Sequence, residues 1–206
     1  GKPVIRTEEL AIIMTYGIGN LFLRDKESRL AGTDRESMKT TALLFGLDLD
    51  YVSLTLPRIP CAEEAEKITA LAELCSENFA DYNAERMARL IKKRMSSGEI
   101  FVIEHKNNIA GFIMFSKKNK TIDHIAVSPD YRRIGIASRL MVTAMAQFEV
   151  GEELSAVTFR QEHPMSDGVS RMYKKFGFDD EKNIVVRGEP LVKRTAVVPE
   201  KAIITE

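Results

Sequence analysis

A run of apolar residues from Ile122 to Val127 is stopped by Ser128-Pro129 and followed almost at once by Arg132-Arg133-Ile134-Gly135-Ile136-Ala137. Ile136, Leu140, Met141, Ala144, Met145 and Phe148 then recur at helical spacing. A strand, a tight basic loop and a helix N-terminus in immediate succession leave few architectures open. The first N–H groups of a helix have no partner within it and sit at the positive end of its dipole. An anion can be held there by backbone alone. Gly135 lets the backbone approach closely, Ala137 is the next smallest choice, and Arg132 and Arg133 add forked donors suited to phosphate oxygens. The arrangement suits a pyrophosphate and points to a nucleotide-like cofactor, although a surface turn with two solvated arginines would show the same residues.

Farther along, Val169, Met172, Tyr173 and Phe176 form one helical stripe, Gly177 ends the helix, and Phe178 opens a new strand. Taken together, in this order and at this separation, the two segments resemble the GNAT superfamily of acetyl-CoA-dependent N-acetyltransferases. Arg132-x-x-Gly135-x-Ala137 matches the cofactor signature of that family, preceded by its strand and turn at Ile125-Ala126-Val127-Ser128-Pro129. Tyr173 to Phe178 matches the later Tyr-x-x-x-Gly-Phe. The resemblance covers roughly residues 52 to 195. It departs at Ser166, where the family often has Asn, and at Val169, where it often has Ala.

The resemblance implies an α/β (α+β) acyl-CoA N-acyltransferase fold: a mixed, mostly antiparallel central sheet flanked by helices. It implies acetyl-CoA as acyl donor and a primary amine on a small molecule or protein as acceptor. Ile125, Ala126 and Val127 would lie beside the acetyl group and pantetheine arm. Arg132, Arg133, Ile134, Gly135, Ile136, Ala137 and Ser138 would hold the pyrophosphate. Tyr173 is the general-acid candidate; on a hydroxyl pKa near 10 against about 8.5 for a thiol, it is expected to protonate the leaving sulfur. Asp123 and Glu162 are candidate bases, with His105, His124 and His163 as further options. Asp123 and His124, as strand neighbours, should point to opposite faces. A non-catalytic acyl-CoA sensor or partner-binding protein on the same fold is the alternative.

Local patterns fill in the rest. Residues 51–206 form the expected domain, behind a helical extension at 1–50 of unassigned role. In that extension a Thr33-x-x-Glu36 capping box opens a second helix, but the polar connection before it is too long for a helix-turn-helix. Tyr51 to Ile59 reads as a first strand, Ala62 to Phe79 as an amphipathic helix, and Asn83 as the cap of the next helix, which stops near Gly98. Ile100–His105 and Ile109–Phe115 read as a hairpin, Thr121–Val127 as the strand before the loop, and Ala156–Gln161 as another strand. Ile184–Arg187 and Leu191–Val198 read as a closing hairpin. The acceptor site would be built largely from residues 62–98, whose Glu63, Glu64, Glu66, Glu73, Glu77, Asp81 and Glu85 could form an acidic rim or simply a solvated face.

Composition bounds the remainder. Lys plus Arg and Asp plus Glu number 30 each, so no net field favours nucleic acid. No apolar run is long enough to span a membrane. Cys61 and Cys75 are expected as free thiols of a cytoplasmic protein. The three histidines and two cysteines have no metal-ligand spacing, so no metal is expected. Oligomeric state is left open, a homodimer included.

Overall fold

The computed structural model describes residues 56–80, 82–160 and 166–199. The expected helical extension at 1–50, the opening of the first expected strand, Asp81, Glu162 and His163 lie outside the described residues. A 3₁₀ turn at Ala62–Glu64 leads into α1 (Ala65–Leu74), and α2 follows (Ala84–Ser96). Then come β1 (Ile100–His105), β2 (Asn108–Ser116) and β3 (Thr121–Val127). Next are α3 (Ile136–Met145), β4 (Glu153–Phe159), α4 (Ser166–Lys175), β5 (Asp180–Val186) and β6 (Glu189–Val197). Of the expected strand at 51–59, the described part makes only an isolated bridge, Arg58 to Val102. The Ala62–Phe79 helix is broken: α1 ends at Leu74 and a second 3₁₀ turn spans Ser76–Asn78. β4 starts earlier than expected, at Glu153, and ends at Phe159.

The sheet runs β1-β2-β3-β4-β6-β5. Every pairing is antiparallel except β3 with β4. That parallel pair is joined through α3, as a parallel connection requires a crossover. β1 and β2 read as near-continuous apolar runs because both their faces are covered. Ile100 and Val102 face α1 and α2, with Ile68, Leu71, Cys75, Met87 and Ile91. Phe101 and Ile103 face the other layer, with Ile136, Leu140, Met141, Tyr173 and Phe178.

Two devices position the future site. In β3, Met114 pairs with His124 while Phe115 pairs with Ile122, so Asp123 is an extra, unpaired residue. Such a bulge re-aims side chains. Ile122 packs in the α3 layer, yet Ala126, which plain alternation would put on the same face, packs in the α1–α2 layer. The second device is Gly111 on β2. A Cβ there would lie 2.8 Å from Ile136 Cγ2, 3.0 Å from the Ala126 carbonyl oxygen and 3.2 Å from Leu140 Cδ1. The first turn of α3 therefore rests directly on the backbone of β2, at a height that only glycine permits.

Two buried ion networks hold the α1–α2 layer to the sheet. Arg58 donates to Glu64 (2.7 and 2.5 Å) and to Glu104. Burial opposes ionisation of Glu64, but the Arg58 guanidinium and the Cys61 N–H outweigh it and bring its pKa to about 2. Arg94 of α2 pairs with Glu99 (2.5 Å) and with Asp123 (2.5 Å). Buried charges of this kind are tolerated only when paired.

Replacing Gly111 by Ala should cost about 1–3 kcal/mol, the usual penalty for overpacking. Urea unfolding of the variant measures it; an unchanged midpoint would show that α3 does not rest on β2 as described.

Candidate active site

β3 and β4 pair only at Thr121–Ser155 and Ile122–Ala156. Beyond the bulge at Asp123 they part. The gap between them widens into a cleft of about 910 Å³. Its walls include Asp123 to Val127 of β3, Val157 to Phe159 of β4, the loop residues Tyr131, Arg132, Arg133 and Gly135, and Ile136, Ala137 and Ser138 of α3. Asn78, Phe79 and Ala80 close one side, and Val169, Arg171, Met172, Tyr173 and Lys175 of α4 another.

The loop has the local geometry that its sequence implies. Pro129–Tyr131 form a 3₁₀ turn. Arg133 (φ 68°) and Gly135 (φ 85°) both adopt left-handed backbone, and Gly135 caps α3 with no side-chain bond to the helix amides. The N-terminal amides of α3 are thus left without a side-chain acceptor at the floor of the cleft. Arg132 folds back, its Nε donating to the Val127 carbonyl at 3.2 Å, the same carbonyl that faces the Cys75 thiol at 3.6 Å.

On the far wall, the spacing Tyr173-x-x-x-Gly177-Phe178 has a physical explanation. Gly177 (φ 78°) ends α4 in a Schellman-type turn: its N–H donates to the Lys174 carbonyl (3.0 Å) and the Phe178 N–H to the Tyr173 carbonyl (3.2 Å). The Phe178 ring then meets the Tyr173 ring edge-on at 5.2 Å. Tyr173 is thereby fixed at 4% exposure, lining the cleft. Burial raises its hydroxyl pKa, Arg194 works against that, and Asp123 adds to it.

The candidate bases separate. Asp123 and His124 were expected on opposite faces; the bulge brings both to the cleft wall. Asp123 has both oxygens engaged: Oδ2 accepts from Arg94 Nε (2.8 Å) and Oδ1 from Thr121 Oγ1 (2.6 Å). His124 stands edge-on to Phe79 at 5.1 Å, and its Nδ1 is buried with no hydrogen-bond partner among the described residues. His105 is away from the cleft, against Tyr131. Among the described carboxylates of residues 62–98, none lines the cleft, and Glu64 is buried against Arg58 instead of standing on a rim.

Three cationic residues escaped the motif reading. Arg171 and Lys175 line the cleft one helical turn apart on α4. Arg139 reaches back along α3, its Nη1 donating to the Ile134 carbonyl at 2.9 Å and lying 3.4 Å from where a Gly135 Cβ would be. Their i, i+4 spacings, Arg171 to Lys175 and Gly135 to Arg139, were the available signal.

This geometry agrees with what known proteins show. Residues 96–180 match the family model of the acetyltransferase (GNAT) domain. Among solved structures, a GNAT-family acetyltransferase from Bacillus cereus is similar with a TM-score of 0.55 at 17% identity, over 69% of this chain and 96% of that one. Ard1 from Thermoplasma volcanium is similar at 0.53 and 18%, over 70% and 98%. YncA from Salmonella typhimurium, solved with its cofactor acetyl-CoA, is similar at 0.51 and 14%, over 73% and 97%. No curated protein matches the chain in sequence. Residues 96–180 thus match an acetyltransferase (GNAT) domain model, and the described residues share the fold of these acetyltransferases. Among the described residues, no helix is long and apolar enough to cross a membrane.

If the loop binds an anionic cofactor, Arg139→Met should weaken coenzyme A binding about tenfold, equivalent to about 1.4 kcal/mol, and reduce its salt dependence. Isothermal titration at two salt concentrations measures both; unchanged affinity would remove Arg139 from the site.

Proposed function

We propose that this chain is an N-acetyltransferase that moves the acetyl group of acetyl-CoA to a primary amine. The family model and the fold support acyl transfer in general. The observation that carries the finer reading is the cleft itself, which joins an unpaired strand edge to an uncapped helix N-terminus. The open edge of β3 at Ile125, Ala126 and Val127 leads to the loop at Arg132, Arg133 and Gly135 and to the first turn of α3 at Ile136, Ala137 and Ser138, whereas the expected Ile134 is exposed and does not line the cleft. A long ligand with amides at one end and phosphates at the other matches that order of groups. Backbone N–H and C=O groups on a strand edge need partners, and the Val127 carbonyl already has one in Arg132. The α3 amides, with Arg132 and Arg133, suit a pyrophosphate. Bound there, acetyl-CoA would supply a thioester acyl group.

The residues have separable tasks. The β3 edge orients the acyl group and can offer a backbone N–H where negative charge develops on its oxygen. Phe79, Val157 and Phe159 line the cleft and limit water. Tyr173 donates a hydrogen bond to the departing sulfur. A phenol is a weaker acid than a thiol, and burial weakens it further, so the proposed role is hydrogen-bond donation to the leaving sulfur and not a downhill proton transfer. It stays protonated and stabilises the thiolate as a donor.

Tyr173→Phe should lower kcat by about 10- to 100-fold, the scale on which general-acid or charge-stabilising donors act, while acetyl-CoA affinity stays within twofold. Free thiol release against a panel of polyamines, aminoglycosides, amino acids and peptide N-termini reads the first, and calorimetry the second. Wild-type chain that binds acetyl-CoA but acetylates no member of the panel would favour the non-catalytic sensor. An unaltered kcat in the variant would take the role from Tyr173.

A further inference from the structure

We propose that His124 is the group that takes the proton from the attacking amine, with Asp123 as the fixed carboxylate beside it; this rests on the N-acetyltransferase reading above. The β3 bulge is what makes the pair. Neighbours on a regular strand face apart; at this bulge the Asp123 carboxylate meets Arg94 of α2 and the His124 ring meets Phe79 of the α1–α2 connection, and both residues line the cleft. Asp123 cannot itself serve as an open base, because Arg94 and Thr121 occupy its two oxygens. His124 has no such partners among the described residues. Its Nδ1 is buried without a hydrogen bond among the described residues and the residue lines the cleft, so we place the ring proton on Nδ1 and the accepting lone pair on Nε2. Phe79, edge-on at 5.1 Å and 70°, fixes the ring plane from the α1–α2 connection. Met114 of β2 is its cross-strand neighbour.

An imidazole in this setting is kept neutral and ready to accept. Burial lowers its pKa below the ordinary value; Asp123 opposes that shift and Arg94 reinforces it. Those two are the charged groups that act on it, one from its own strand and one from α2. In the reaction, the amine nitrogen forms the N–C bond and gives one proton to Nε2. The C–S bond breaks, and the sulfur leaves as a thiolate hydrogen-bonded by Tyr173. The proton on the imidazolium then passes through solvent to the thiolate, giving amide and free thiol. The Asp123 carboxylate, held in place by Arg94, stabilises the transient imidazolium. His105 also has a buried unpartnered Nδ1, but it lies outside the cleft and cannot reach the same amine.

The sign of the pH dependence follows. The base must be neutral, so kcat should fall as pH drops through the His124 pKa, which burial places below the usual 6.5. The test uses the full chain, acetyl-CoA and an amine that the wild type acetylates. His124→Gln and His124→Asn should each lose about a hundredfold or more in kcat, the general-base contribution, with acetyl-CoA affinity within twofold. In the wild type, NMR titration of the His124 ring in the acetyl-CoA-loaded chain should give a pKa that coincides with the acid limb of kcat. Full activity in either folded variant, or an acid limb at a pH where His124 does not titrate, overturns the assignment and leaves the acetyltransferase reading standing. If the wild type acetylates no amine, that reading fails first and this one with it. If neither variant folds, the wild-type comparison of ring titration and acid limb decides alone.

Discussion

Two parallel strands that pair for two residues and then separate are the constraint on which the rest of this molecule depends. β3 and β4 must start together, because β3 is followed by α3 and the crossover returns the chain beside it. They must also part, because the bulge at Asp123 breaks the register of β3 with β2 just where the pairing with β4 stops. A sheet split in this way leaves backbone groups along the inner edge of β3 without strand partners, a cost that water or a ligand has to offset. Every feature assigned to the site borders that split.

Charge is distributed to match. The chain as a whole carries equal numbers of acids and bases, yet the described cleft wall holds Arg132, Arg133, Arg171 and Lys175 against one acid, Asp123, which Arg94 already neutralises. Four acids elsewhere are engaged in ion pairs that hold the structure together. Glu64 and Glu104 hold Arg58, Glu99 holds Arg94, and Glu181 holds Arg194. A neutral protein can thus present a locally positive cleft, since short-range fields in a cleft are set by its lining and not by the total. That cleft suits a phosphate-bearing donor, and at Phe79 and His124 its lining is aromatic.

Much of this was legible in residue order, and the reasons for the exceptions are specific. Apolar runs marked β1 to β3 because both sheet faces are covered. Gly135 and Gly177 marked the two helix ends, and both do adopt left-handed backbone. What escaped was information carried between elements. The bulge at Asp123 is a property of the β2–β3 register, so Asp123 and His124 were expected apart. Gly111 looks like an ordinary strand residue until α3 is laid across it. Glu64 sits in a run of exposed-looking acids and is buried only because Arg58 meets it there. The β4 boundary moved because Leu154 is buried while Glu153 is exposed, an alternation too short to stand out locally. Placement of Glu162, and with it one candidate base, lies outside the described residues.

The central claim is that the split between β3 and β4 is a coenzyme A channel that ends on the first turn of α3. A crystal structure of the full chain grown with acetyl-CoA tests it most directly. The account predicts pyrophosphate oxygens on the amides of Gly135 to Ser138 and the pantetheine arm running between Ile125–Val127 and Val157–Phe159. Electron density for the ligand anywhere else, or no density at millimolar acetyl-CoA, would contradict it.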